Sequence, residues 1–168
     1  TPQTCMRIAE IYKEAGLPDG VINIVTCSRN EAEIFLEHPA IKGITFVGST
    51  SVGKHIYTVA ASNGKRVQAL CEAKNHALVL EDAPIERTAA GIVNAAFGCA
   101  GERCMALPVV VVQESIANRL VEEIVKKAGG LVVGPAYDPK TGLGPVINRE
   151  HKERVLGWIE KGLQEGAK

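Results

Sequence analysis

What most constrains this chain is a rhythm: short apolar, β-branched runs alternate with amphipathic stretches of helical period along most of its length. "GVINIVT" (20–26) and "GITFV" (43–47) read as strands, and "EAEIFLEHP" (31–39) between them reads as a helix halted at Pro39. Val52, Ile56, Val59 and Ala60 mark a helix closing near Gly64, after which "RVQALC" (66–71) and "HALVL" (76–80) supply two more strands. Asp82 and Pro84 suit the first turn of a helix through Ala89, Ile92, Val93 and Ala96, and "PVVVVQE" (108–114) is the strongest strand. Ser115 is placed to cap a helix carrying Ile116, Leu120, Val121, Ile124 and Val125, which Gly129 and Gly130 end before a strand at "LVV" (131–133). Ile8, Ile11, Tyr12 and Ala15 give a first helix and Val155, Leu156, Ile159 and Leu163 a last one, with a Gly- and Pro-rich loop at 134–145. Nearly continuous apolar strands separated by helices require a parallel sheet covered on both faces. The expected fold is therefore α/β: three layers, doubly wound, with a mostly parallel sheet. A seam between two lobes is expected at 71–76, where strand follows strand across a polar turn at Lys74 and Asn75.

Several function classes are excluded early. Nineteen basic residues balance nineteen acidic ones without a long run of either sign, which argues against nucleic acid or an anionic membrane surface as partner. No apolar stretch approaches the roughly 18 residues of a bilayer span. The chain opens at Thr1 directly in a helix-like pattern, and it is read as mature, trimmed or cut from something longer. Its five cysteines (Cys5, Cys27, Cys71, Cys99, Cys104) form neither Cys-x-x-Cys nor a zinc-ligand spacing with His. No metal site is expected, and a reduced setting is: the cytoplasm, or the mitochondrial matrix in a eukaryote.

Two stretches could carry chemistry. "FVGSTSVGK" (46–54) places Gly48 and Gly53 where a strand turns into a helix; glycine lets backbone approach a ligand, and the hydroxyls of Ser49, Thr50 and Ser51 with the free amides of a helix start can hold a phosphate. The spacing matches neither the three-glycine dinucleotide fingerprint nor a full Walker loop, so a plain capped helix is the competing reading. In "GERCMALP" (101–108), Cys104 follows Glu102 and Arg103 after two glycines, Gly98 and Gly101. Arg103 favours a thiolate and Glu102 opposes it; the residues alone leave nucleophile and buried packing thiol both open. Cys99 is expected to pack on the helix side. His38, His55 and His151 are expected to be solvated on helix flanks, His76 to open a strand, and Trp158 to be partial core or interface.

Taken together, these pieces resemble the aldehyde dehydrogenase superfamily, and within it the methylmalonate-semialdehyde dehydrogenase branch. "FVGSTSVGK" resembles that family's cofactor-binding turn, "AKNH" (73–76) its lobe-joining segment and "FGCAGERCMA" (97–106) its catalytic cysteine motif. The resemblance implies a dinucleotide-binding part over residues 1–72 and part of a catalytic lobe over 73–168. It further implies Cys104 as nucleophile with its own amide in the oxyanion hole; Ser49, backed by Gly48 and Gly53, on the phosphates of NAD; and Cys71 as a nicotinamide contact. The family's ribose-binding residues and its second oxyanion donor would lie outside residues 1–168, so this segment alone is expected to be inactive. Dimers or tetramers are implied as well.

The route by which the thioester leaves Cys104 separates the branches. Hydrolytic members carry a glutamate as general base where this chain has Leu70, and coenzyme A, a better nucleophile than water, needs less help. The expected reaction is thus NAD-dependent, CoA-acylating oxidation of methylmalonate or malonate semialdehyde to propionyl-CoA or acetyl-CoA. A hydrolytic aldehyde dehydrogenase and a non-catalytic dinucleotide-binding module are the alternatives. Glu72 stands where relatives have glycine; it could turn outward, act as an unexpected base, or impair cofactor binding.

Overall fold

A computed structural model describes residues 2–167; Thr1 and Lys168, the outer ends of the two expected lobes, lie outside them. The elements run α1 (Pro2–Glu14), α2 (Arg29–Glu37), β1 (Gly43–Val47), α3 (Thr50–Ser62), β2 (Arg66–Leu70), β3 (His76–Val79), α4 (Ile85–Phe97), β4 (Val109–Val112), α5 (Glu114–Gly129) and α6 (Arg149–Gln164). The chain divides into two compact units between Glu72 and Ala73.

In the first unit β1 and β2 pair in parallel, Gly43 opposite Arg66 and Val47 opposite Leu70, with α3 as the crossover that parallel pairing requires. Burial alternates along both strands, so Ile44 and Phe46 point inward while Val47 is exposed. Helix α2 starts in a reciprocal capping box: Ser28 accepts from the Asn30 amide, and the Glu31 carboxylate accepts from the Ser28 amide (3.0 Å) and hydroxyl. These bonds, the Ser28 hydroxyl foremost, hold the Glu31 carboxyl below its ordinary pKa. Lys65, 8% exposed, donates to the carbonyls of His38 (2.6 Å) and Ile41 (2.7 Å) and so ties the α2–β1 connection to the end of α3.

In the second unit β3 and β4 pair in parallel, His76 opposite Val109 and Val79 opposite Val112. Helices α4 and α5 cover them, and Val79, Ala89, Ile92, Ile116 and Leu120 form the core, with Val110, Val112 and Ile124 against it. Leu120 is 1% exposed. Helix α6 is capped by Asn148, whose side chain accepts from the His151 amide at 2.8 Å.

Three local expectations are corrected. Residues 20–26 pass from a turn at Gly20 through a bend at Val21 and Ile22 into irregular chain and form no strand, with Val21 and Val25 exposed: β propensity makes a strand only where a ladder partner lies alongside, and none of the described residues does. "LVV" contributes only a single bridge, Val133 to Leu143. Ser115 does not cap α5, which starts at Glu114 after Gln113; the Gln113 side chain instead accepts from the Glu81 amide. No helix among the described residues is long and apolar enough to cross a membrane.

Candidate active site

Helix α4 stops at Phe97, and the next residues reverse the chain sharply. Cys99 (φ 52°), Ala100 (φ 54°) and Gly101 (φ 76°) are all left-handed. Left-handed backbone costs an L-residue about 1–2 kcal/mol, and such outliers gather at functional sites because surrounding contacts must over-determine them. Cys99 is therefore an exposed turn residue, not the helix-packing thiol the sequence suggests. The reversal carries residues 102–105 outward, and Cys104 is exposed on the turn.

The tether of that turn is Asn75. Its side-chain amide donates one hydrogen to the Cys104 carbonyl and the other to the Ala106 carbonyl, both at 2.9 Å. The Ala106 amide closes the turn on Arg103 (3.0 Å), and the Leu107 amide returns to Ala95 (3.4 Å). Among the described residues the Cys104 amide has no acceptor, so a donor stands free beside the thiol. The Arg103 guanidinium folds back over Gly98, where a Cβ would lie 2.6 Å from its central carbon. A glycine is required there for Arg103 to lie as it does.

Glu102 is held from the other side. Its carboxylate pairs with Nε2 of His151, whose Nδ1 accepts from Arg154 at 3.0 Å. Arginine can only donate, so the hydrogen of the His151 ring lies on Nε2 toward Glu102. His151 thus anchors α6 to the cysteine turn and is not a solvated flank residue. His55 likewise binds Glu33 (2.9 Å), joining α3 to α2. His76 opens β3 as expected, its ring on the Lys74 carbonyl at 2.8 Å. Trp158 is exposed, with Lys161 stacked 5.0 Å from its ring centre.

In the first unit, Gly48 ends β1 by donating to the Leu70 carbonyl at 3.1 Å, and Ser49 precedes α3 in extended backbone. Ser49 is the N-cap residue, but its side chain makes no capping bond to the helix; its hydroxyl lies 3.4 Å from that of Ser51. The amides of Thr50, Ser51 and Val52 find no acceptor among the described residues, leaving the positive end of a 13-residue helix open. Why the glycines are there differs from expectation. A Cβ at Gly48 would run into the Phe46 ring and one at Gly53 into the Cys71 sulfur, so both serve close packing within the unit. Cys71, Gly53, Lys54, Tyr57, Thr58 and Ala69 line a cleft of about 320 Å³. This donor set fits a dinucleotide phosphate at the carboxyl end of a parallel strand. Glu72 is exposed, and its carboxylate accepts from the Thr50 hydroxyl at 2.7 Å.

A cleft of about 640 Å³ beside α4 and α5 holds charged side chains such as Glu81, Arg119 and Lys126 and no cysteine. Among the described residues no three His, Cys, Asp or Glu side chains gather as a metal site would need. Sequence reasoning missed Asn75 and His151 as supports of the cysteine turn. The signal available for Asn75 was its place in "AKNH"; for His151 there was none.

The aldehyde dehydrogenase family model matches residues 1–168. The chain belongs to the aldehyde dehydrogenase family. Malonate-semialdehyde dehydrogenase 2 of Bacillus mycoides is 50% identical over 167 residues, 99% of this chain and 35% of that protein. Methylmalonate-semialdehyde dehydrogenase from Oceanimonas doudoroffii superposes with a TM-score of 0.88 at 44% identity, over 96% of this chain and 33% of that one. Betaine aldehyde dehydrogenase from Staphylococcus aureus, solved in complex with NAD+, gives 0.90 at 28% identity, over 100% and 34%. These likenesses bear out the aldehyde-dehydrogenase-like α/β fold. The chain spans about a third of the length of the curated relatives it matches.

Proposed function

We propose that this chain carries the cysteine nucleophile and the phosphate cradle of an NAD-dependent, CoA-acylating dehydrogenase for malonate or methylmalonate semialdehyde. Residues 1–72 then belong to the NAD-binding lobe and 73–168 to the catalytic lobe. The observation that carries the reading is the exposed Cys104 on a strained, Asn75-tethered turn with its own amide free. The names of the relatives support the substrate class.

In this reading the Cys104 thiolate adds to the aldehyde carbon, and the Cys104 amide donates to the oxyanion that forms. NAD, when bound, supplies the acceptor for the hydride expelled as the oxyanion collapses. Ser49 and the open amides of α3 hold its phosphates, Gly48 and Gly53 let β1, α3 and β2 pack closely behind them, and Cys71 at the end of β2 contacts the cofactor. The product on the enzyme is a thioester of Cys104. Leu70, in the place of a hydrolytic base, cannot take a proton from water, so the thiol of coenzyme A displaces Cys104 and leaves as acyl-CoA. Methylmalonate semialdehyde yields propionyl-CoA with loss of CO₂, and malonate semialdehyde yields acetyl-CoA. The bond from Thr50 to Glu72 counts against Glu72 as a replacement base, and with it against the hydrolytic alternative.

The decisive experiment follows semialdehyde oxidation by the full-length enzyme with and without coenzyme A. Turnover is expected only with it, and Cys104→Ser should abolish both turnover and thioester. Undiminished hydrolysis without coenzyme A overturns the acylating reading. Residues 1–168 alone are expected to be inactive.

A further inference from the structure

We infer that Glu72 is an anion built into the phosphate cradle, weakening the hold on the dinucleotide; this rests on the reading that the start of α3 receives its phosphates. Two observations converge on it. Glu72 brings a carboxylate to the end of β2. That charge is fastened at the helix start, where the carboxylate accepts from the Thr50 hydroxyl at 2.7 Å. No lysine, arginine or histidine among the described residues pairs with it.

The manner of attachment separates this from an ordinary cap. A capping carboxylate accepts from the amides of the first helical turn, satisfying them. Glu72 takes the Thr50 hydroxyl instead, and the amides of Thr50, Ser51 and Val52 stay without an acceptor. The cradle therefore keeps its donors but loses one hydroxyl and gains a negative charge beside the place for a phosphate. Like charges at short range oppose one another, and the same helix end that attracts the phosphate also attracts the carboxylate.

The test uses the full-length enzyme, with Glu72→Gln keeping an acceptor for Thr50 and Glu72→Gly removing the side chain altogether. Calorimetric titration with NAD should give a Kd about three- to tenfold lower for both variants, the scale of one charge at a helix end. The gain should shrink at high salt, which screens the repulsion. Adenosine, which has no phosphate, should bind wild type and variants alike. Equal NAD affinity in wild type and Glu72→Gln, or an equal gain for adenosine, overturns the inference and leaves the cradle standing. If circular dichroism shows folded protein and neither form binds NAD, the cradle reading fails and takes this inference with it.

Discussion

Replacing Asn75 by alanine should loosen the cysteine turn by an amount that can be worked out in advance. The side-chain amide makes two hydrogen bonds, to the Cys104 and Ala106 carbonyls at 2.9 Å each. A net worth of about 0.5–1.5 kcal/mol apiece gives about 2 kcal/mol for the pair. Cys104 is exposed and its carbonyl can turn to water, whereas Ala106 is 8% exposed and its carbonyl can do so only if the turn opens. The loss therefore falls on local opening, where about 2 kcal/mol corresponds to roughly thirtyfold. Hydrogen exchange at the Ala106 and Leu107 amides, which bond Arg103 and Ala95, reads that opening directly. Both should exchange about thirtyfold faster in Asn75→Ala, while amides in the middle of α5 stay unchanged. Iodoacetamide supplies a second readout. All five thiols are exposed, so access alone predicts equal labelling; faster labelling of Cys104 than of Cys5 or Cys27 in wild type should fall toward theirs in the variant. Asn75→Asp, which removes both donors and sets a charge against two carbonyls, should be worse than alanine. Unchanged exchange at both amides, with Cys104 labelled as before, would refute the tether.

The remaining predictions concern backbone and packing. Ala100→Gly relieves one left-handed L-residue but adds chain entropy, a net gain of about 0.5–1 kcal/mol in denaturant unfolding; a loss of stability would show that the turn is not strained. Gly53→Ala should cost about 1–3 kcal/mol by driving a methyl into the Cys71 sulfur, and Cys71→Ala in the same chain should recover most of it; no recovery would mean the clash lies elsewhere. The Glu31 carboxyl is held low in the folded chain, so its contribution to α2 is full above the ordinary carboxylate pKa and is lost as pH falls through the lower folded value. Exchange at the Ala32 amide, bonded to Ser28, should accelerate over that acid range, and Glu31→Gln should abolish the pH dependence.

Sequence pattern carried the βαβ order because it reflects burial, which is local in period: four of the expected strands and the crossover helices stand where apolar spacing places them. It failed at residues 20–26 because a strand is a relation between two segments, and composition describes only one of them. At the candidate site, Cys104 and the start of α3 were legible through motifs, yet their supports were not. Asn75 looks like turn polarity until two carbonyls 29 and 31 residues away converge on it. His151 pairs with Glu102 across 49 residues, and Cys99 turns left-handed although nothing in its side chain asks for it. The reason for Gly53 was hidden for the same cause, since the atom that excludes a side chain there belongs to Cys71 on another element.

The closure of each parallel ladder within its own unit bears on how the chain is made. The first ladder joins Gly43 to Arg66, and the second, across a longer span of chain, joins His76 to Val109. Chain entropy grows only with the logarithm of such spans, so neither closure is much harder than the other. Order is then set by the ribosome: β1, α3 and β2 can zip together while the cysteine turn is still being synthesised.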